Sequence, residues 1–198
     1  MTAVSQQGRP RDPAVDRRIL ASAVAVYGDH GWSGFSIEAV ARRARVGKAS
    51  IYLRWSSREE LLTEALKSEL STVAEVDTGS VHGDLSGLAR HVLVRYLGDT
   101  GRAALRIGLE AHLLPDVARE HESSRRAQIA AGRSIVKRAI ERRELPAGTS
   151  ATTLLDSVLG AALFHAVVVL PEPKTQSDEE IDSFVRRIVD FALAAVRK

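Results

Sequence analysis

This chain of 198 residues contains no cysteine. Disulfide bonds and thiolate metal sites are therefore excluded, and the composition suits a reducing compartment, which predicts a cytoplasmic location. Long apolar stretches are absent as well. The longest nearly apolar run, residues 158–170, has 13 residues. Because roughly 18 are needed to span a bilayer, we expect a buried helix there and no membrane partner.

Acidic residues are missing from the segment between Arg42 and Arg58, where six cationic side chains lie. Residues 1–60 contain 10 Lys/Arg and 6 Asp/Glu, whereas the rest of the chain contains 18 and 19. The positive charge is thus concentrated in the N-terminal third. This asymmetry predicts a nucleic-acid-binding module attached to a near-neutral second domain.

Apolar residues recur throughout at the helical period, and no strand pattern is present. We therefore predict an all-α fold of about nine helices. Ser57 and Glu60 form one capping-box pattern, and Ser177 and Glu180 form another, so a helix should begin after each serine. The five helices after the fourth are predicted at about 84–97, 102–114, 116–143, 150–170 and 178–196.

Two short helices joined by a tight turn are predicted between Ser36 and Trp55. Ser36 is a candidate N-cap of the first, and the second begins at about Gly47. Ile51 and Trp55 lie four residues apart and share the packed face, which leaves the basic side chains outside. This is the pattern of a helix-turn-helix DNA-binding motif.

The pattern V-G-K-A-S-I-Y-x-x-W-x-S-R-E-x-L, residues 46–61, with about six helices after it, resembles the TetR family of bacterial transcriptional regulators. The resemblance implies a three-helix helix-turn-helix DNA-binding domain at 12–65 and a helical bundle for ligand binding and dimerisation at 66–198. The polar composition of residues 1–11 predicts a flexible arm before them. The C-terminal domains of this family share little sequence, so the fold transfers there and the ligand does not.

The resemblance also implies that the third helix enters the major groove, with its first residues at base edges and flanking groups on phosphates. Arg54 is our first candidate for reading a base, Ala49 is small enough to touch a thymine methyl, and Tyr52 is the phosphate-holding position. The full set of predicted DNA contacts is Ser36, Arg45, Gly47, Lys48, Ala49, Ser50, Tyr52, Leu53, Arg54 and Arg58.

Two positions depart from the family pattern. Arg45 stands in a turn where the family usually has glycine, at a cost of about 1 kcal/mol for a left-handed residue. It is either a phosphate contact or a solvated surface arginine. Leu53 occupies an often polar position, where it offers only apolar contact.

Polar residues inside apolar helices are candidates for lining a ligand cavity, although a structural hydrogen bond is the competing interpretation of each. They are His91, Tyr96, Arg106, His112 and His165.

The eighth and ninth helices have broad apolar faces, which form either a two-fold four-helix dimer interface or the core of a single protomer. The predicted interface residues are Leu154, Leu155, Val158, Ala161, Ala162, Val169, Ile181, Val185, Ile188, Val189 and Ala192.

Enzymatic motifs are not convincing. The four residues from Ser134 to Lys137 match a bare Ser-x-x-Lys pattern without the elements that accompany it in known enzymes. The histidines show no metal-ligand spacing, so we expect no metal and no cofactor.

The predicted function is a DNA-binding, ligand-responsive repressor that binds a palindromic operator as a homodimer and responds to an unknown small-molecule effector. The alternatives are an enzyme or small-molecule binding protein with a vestigial DNA module, and a non-specific DNA-binding protein.

Overall fold

The structure, a computed structural model, describes residues 12–69, 76–98, 100–169 and 176–196. The predicted arm at 1–11 lies outside these residues. Within the described ranges the chain forms nine α-helices and one 3-10 turn at Ala111–Leu113, with no strand, which confirms the all-α prediction. The helices are α1 (Pro13–Gly34), α2 (Ile37–Ala44), α3 (Lys48–Tyr52), α4 (Arg58–Glu69), α5 (Val81–Leu97), α6 (Gly101–Glu110), α7 (Pro115–Glu141), α8 (Ala151–Val169) and α9 (Asp178–Val196).

Local capping fixes where several helices begin. At α9 both halves of the predicted capping box are present: the Ser177 hydroxyl accepts from the Glu180 backbone N–H at 3.2 Å, and Glu180 accepts from the Ser177 N–H at 2.8 Å. Helix α5 begins about three residues earlier than predicted. Its N-cap is Ser80, whose hydroxyl accepts from the Gly83 N–H at 3.1 Å. The stretch 77–83, which contains Ser80, has the composition of a loop, so this cap is not apparent from the sequence.

The first hydrophobic core is formed by the helices α1, α2, α3 and α4 together with α6. Tyr27, Ile51, Trp55 and Leu61 are buried in this core together with Ile107 of α6. Helix α6, which lies beyond the predicted domain boundary in the sequence, is therefore packed against the DNA-binding module. The domain boundary at residue 65 stays a prediction. Helix α6 contacts α1 on one side of that boundary and α5 on the other.

The second core is formed by α5, the C-terminal part of α7, α8 and α9. In the first turn of α5, the buried carboxylate of Asp84 accepts from the backbone N–H of Thr78 at 2.6 Å and from Arg142 at 3.3 Å. These hydrogen bonds hold the pKa of Asp84 below its usual value despite the opposing effect of burial. The result is a fixed connection between the start of α5 and the end of α7.

The residues predicted to form a dimer interface on α8 and α9 mostly lie in this second core, so that prediction is wrong for them. Buried there are Leu154, Leu155, Val158, Ala162, Ile181, Val185, Val189 and Ala192, whereas Ala161 and Ile188 are half-buried. The side chain of Val169 lies outside the described residues. A helical apolar stripe shows that a face is covered, and here the protomer itself covers it. The large apolar side chains that face outward on these helices are Phe164, Val167, Val168 and Phe191.

The apolar character of α8 extends further than the sequence analysis expected. The 18-residue window 151–168 has a mean hydropathy of 1.6, which by length and composition alone would suffice to cross a membrane. The run counted from Val158 is shorter because Asp156 and Ser157 interrupt it. Within the window, Leu154, Val158 and Ala162 pack in the second core.

Candidate nucleic-acid interface and ligand cavity

The turn between α2 and α3 has the geometry that positions a reading helix. Arg45 caps α2 in the left-handed conformation, with φ 54° and ψ 50°. The backbone N–H of the next residue, Val46, donates to the Ala41 carbonyl at 3.0 Å. Arg18 of α1 adds a side-chain cap by donating from Nε to the Ala44 carbonyl at 2.9 Å. The turn thus forms with an arginine where the family usually has glycine.

Helix α3 presents an outer face that is exposed and partly apolar. Leu53 is 77% exposed and Tyr52 is 55% exposed, and Ala49 is exposed beside them, whereas Ile51 is fully buried. Gly47, the N-cap, has an ordinary φ of −72°. A Cβ added to Gly47 would meet no protein atom within 4 Å, so this side of the turn is open to an approaching molecule.

Lys48 is paired across the motif with Glu38 of α2. Its Nζ lies 2.9 Å from the Glu38 carboxylate, and both side chains are more than half exposed. The shared hydrogen bond lowers the pKa of Glu38 and raises the pKa of Lys48. A phosphate that binds Lys48 must therefore compete with this carboxylate.

Arg54, the first candidate for reading a base, points back into the protein. Its guanidinium is paired with Asp16 of α1, and its Nη1 donates to the Ser50 carbonyl at 2.8 Å and to the Ser50 hydroxyl at 3.2 Å. Only 15% of the side chain is exposed. The arrangement ties α3 to α1, because a partly buried guanidinium needs an acidic partner, and it also occupies the side chain of Ser50.

Ser36 and Arg58 hold the edges of the motif. The Ser36 hydroxyl caps α2 by accepting from the Ala39 N–H at 3.2 Å. Arg58 at the start of α4 donates to the Phe35 carbonyl at 3.1 Å and lies 4.0 Å above the Trp32 ring. Both residues therefore have structural contacts in the protein, and the exposed part of Arg58, 41% of its side chain, faces outward.

A cavity of about 420 Å³ lies between α5, α6, α7 and α8. Two of the five predicted ligand contacts, His91 and Tyr96 of α5, line it. Its other lining residues are Val92, Arg95, Ala104, Ile107, His121, Ser124, Arg125, Gln128, Asp156, Leu159, Gly160 and Leu163. The volume falls in the range of small-molecule sites.

The other three predicted ligand residues lie elsewhere. Arg106 turns to the opposite face of α6 and donates from Nε to the Gly28 carbonyl of α1 at 2.9 Å. His112 is exposed in the 3-10 turn. His165 stacks on Phe184 with ring centroids 3.9 Å apart, between α8 and α9. Arg106 and His165 thus have structural contacts, as the competing interpretation expects, and none of the three residues lines the cavity.

The sequence analysis missed two cations and a histidine of the cavity, namely Arg95, Arg125 and His121. Arg95 follows His91 by four residues on α5, so the two share a helix face. That spacing was the available signal. The residues on α7 lie in a long, strongly charged helix, where nothing local separates a cavity residue from a solvated one. No group of three metal-ligating side chains occurs among the residues that the structure describes.

Comparison with known families agrees with this architecture. Residues 19–65 match the family described as bacterial regulatory proteins, tetR family, and residues 75–192 match the tetracyclin repressor-like C-terminal domain. The second match alone covers more than half of the chain. The chain belongs to the TetR family and is a DNA-binding transcriptional regulator of the helix-turn-helix type.

Individual relatives are distant but span nearly the whole chain. The chain is 26% identical to the HTH-type transcriptional regulator YdeS of Bacillus subtilis (strain 168), over 98% of this chain and 95% of YdeS. A transcriptional regulator from Rhodococcus sp. Rha1 shares the fold with a TM-score of 0.69 and 18% identity, covering 92% of this chain and 98% of that one. FadR from Bacillus subtilis, solved in complex with stearoyl-CoA, gives a TM-score of 0.62 and 12% identity, covering 91% and 98%.

Proposed function

We propose that the protein is a cytoplasmic, homodimeric repressor that binds a palindromic operator and releases it when a small-molecule effector occupies the cavity. The observation that carries this proposal is the position of α6. One face of α6 contributes Ala104 and Ile107 to the cavity, while Arg106 on another face bonds α1 of the DNA-binding module. A ligand in the cavity therefore contacts the helix that supports the module.

The DNA contact is assigned to the exposed face of the motif. Lys48, Arg45 and Tyr52 bind phosphates, and Ala49 and Leu53 contact base edges, preferably thymine methyl groups. Gly47 allows the backbone to approach closely. Because Arg54 is held by Asp16, the proposal gives it the role of orienting α3, and Ser50, Ser36 and Arg58 hold or flank the contact surface.

A second copy of the chain is the proposed partner of the outward faces of α8 and α9. Phe164 and Phe191 are 71% and 77% exposed. Val168 lies one turn after Phe164 on the same face of α8 and is also exposed. Large apolar side chains at helical spacing need a cover, and a two-fold pair of helices supplies one. Dimerisation also supplies the two reading helices that a palindrome requires.

The coupling is a shift between two arrangements. A ligand that favours one position of α6 moves α1 through the Arg106 contacts, which changes the separation of the two α3 helices in the dimer. Affinity for the operator then falls. The proposal assigns the protein no catalytic step.

The proposal is tested by selecting bound fragments from random or genomic DNA with the purified protein. We expect enrichment of one or a few palindromic sites. The same selection with Lys48→Ala/Tyr52→Ala should recover none, whereas Arg133→Ala, an exposed change on α7 outside the motif, should recover the wild-type set. Uniform recovery of all fragments would contradict the proposal and favour a non-specific DNA-binding protein, because phosphate contacts alone have no sequence preference.

A further inference from the structure

The cavity is lined by apolar side chains from α5, α6 and α8 and by basic side chains from α5 and α7. Val92 of α5, Ile107 of α6, and Leu159 and Leu163 of α8 supply apolar walls. The basic residues are on α5 and α7. A ligand that fits this distribution has an apolar body and one charged or strongly polar end.

Arg95 is the arginine of the cavity lining that forms no ion pair with the described residues. It is partly buried and lines the cavity. Among the residues that the structure describes, no carboxylate lies within ion-pair distance of it. Arg125, the second cation of the lining, differs because Glu122 binds it through two hydrogen bonds of 2.8 and 2.9 Å. Asp156 also lines the cavity but forms no ion pair in the described part of the chain.

The two histidines of the cavity respond to the same positive charge. Partial burial lowers the pKa of His91, and the Arg95 charge lowers it further. Burial also lowers the pKa of His121, with Arg125 and Arg95 adding to the effect and Glu122 opposing it. Near neutral pH both imidazoles are therefore uncharged and have one N–H each to donate. The described lining thus offers a ligand the unpaired Arg95 guanidinium and two neutral imidazole donors, with Asp156 as its one carboxylate.

We propose that the effector is a small carboxylate with an apolar body, and that Arg95 binds its carboxylate. The inference rests on the proposed function, since it specifies the ligand of the same cavity. The guanidinium donates two parallel hydrogen bonds to the carboxylate oxygens, which is its preferred geometry, and an imidazole N–H completes the contact. The apolar body lies against α6 and α8. A cationic ligand would instead add a like charge beside Arg95.

The test uses matched compounds that share an apolar body and differ in one end: 2-naphthoate, 2-naphthamide and 2-naphthylmethylammonium, with decanoate, decanamide and decylammonium as a second set. Thermal shift and calorimetric titration of the full-length protein without DNA give the affinities. We expect a carboxylate to bind more tightly than its amide and amine counterparts. Arg95→Leu should lower carboxylate affinity by about tenfold or more and remove the preference for the carboxylate end. Arg133→Leu on the exposed side of α7 is the matched control and should change neither.

Tighter binding of the amides or amines, absence of carboxylate binding, or equal carboxylate affinity in Arg95→Leu would overturn the inference. A second titration on the protein–operator complex separates it from the proposed function. Carboxylate binding that depends on Arg95 but leaves operator affinity unchanged would contradict the effector role. If an uncharged compound releases the operator and Arg95→Leu does not change this release, the inference of a carboxylate effector is wrong, whereas the proposed function as a ligand-responsive repressor stands.

Discussion

Arg106 of α6 donates from its Nε to the backbone carbonyl of Gly28 in α1 at 2.9 Å. Glu110, one turn later on α6, accepts from the Trp32 backbone N–H at 3.0 Å and from Arg106 at 3.3 Å. Between these two contacts α1 leaves helical geometry at Gly31, where φ is 65°. The end of α1 is therefore fastened to α6 by side chains from α6 at the point where its own helical hydrogen bonds are interrupted.

Replacing the donor in this contact should destabilise the junction. In Arg106→Met the Gly28 carbonyl loses a charged donor and Glu110 loses a partner, so we expect the free energy of unfolding to fall by about 2 kcal/mol. For a chain of this length that is a decrease in Tm of roughly 4–8 °C. Thermal unfolding followed by circular dichroism measures it. Arg133→Met on α7 should leave Tm within about 1 °C of wild type, and an equal loss in both variants would contradict the assigned role of Arg106.

Gly47 provides a test of close approach to DNA that leaves folding unaffected. Because an added Cβ meets no protein atom within 4 Å and φ is ordinary, Gly47→Ala should keep wild-type stability. Operator affinity should fall on the order of tenfold, a cost of about 1.4 kcal/mol, because the methyl group occupies the side that faces the phosphates. Fluorescence anisotropy with a labelled operator measures the Kd. Gly148→Ala, another position with open space, is the control, and unchanged affinity in Gly47→Ala would exclude close approach at this residue.

The outward phenylalanines distinguish a dimer interface from the core. Phe164→Glu/Phe191→Glu should convert a dimer to a folded monomer, because both side chains are more than 70% exposed in the protomer. Sedimentation equilibrium gives the mass, and circular dichroism checks the fold. Leu109→Glu, which changes another side chain that is 76% exposed, should stay dimeric. Val158→Ala, in the second core, should instead cost about 1–3 kcal/mol of stability without changing the mass. A double variant that remains dimeric would place the interface elsewhere.

The histidines of the cavity predict a loss of stability in mild acid. Their pKa values are lowered in the folded protein, whereas those in the unfolded chain are about 6.5. Below that pH the unfolded chain binds protons that the folded protein does not, so the free energy of unfolding decreases as the pH falls through this range. Tm measured from about pH 7.5 to 5.5 should decline less in His91→Gln/His121→Gln than in wild type. Arg133→Gln, an exposed change on α7, should keep the wild-type slope, and equal slopes in all three proteins would contradict the assignment.

The helices were predictable from the sequence because their signals are local. The α9 capping box needs only Ser177 and Glu180, and the start of α2 needs only Ser36. The start of α5 was not predictable in this way, because its N-cap Ser80 lies in a stretch with the composition of a loop. Side-chain direction depends on distant partners. Arg54 points inward because Asp16, 38 residues earlier, reaches it after folding, and no spacing in the sequence reports that contact.

For the apolar faces of α8 and α9, the sequence pattern does not distinguish a dimer interface from the core of one protomer. Val158 and Val189 follow the helical period, as interface and core residues both do, and the structure buries them within one protomer. The position of the cavity likewise depends on how four helices meet. Arg95 and His121 come together there from α5 and α7, so only the fold brings these two residues to one site.

Affinity for a selected palindrome compared with an unrelated duplex of equal length tests the central claim most directly. The account predicts binding of two protomers per palindrome, at least about a thousandfold tighter than binding of the unrelated duplex at the same salt concentration. It also predicts that Lys48→Ala/Tyr52→Ala removes most of that ratio. Equal affinity for both duplexes in the wild-type protein would contradict the account.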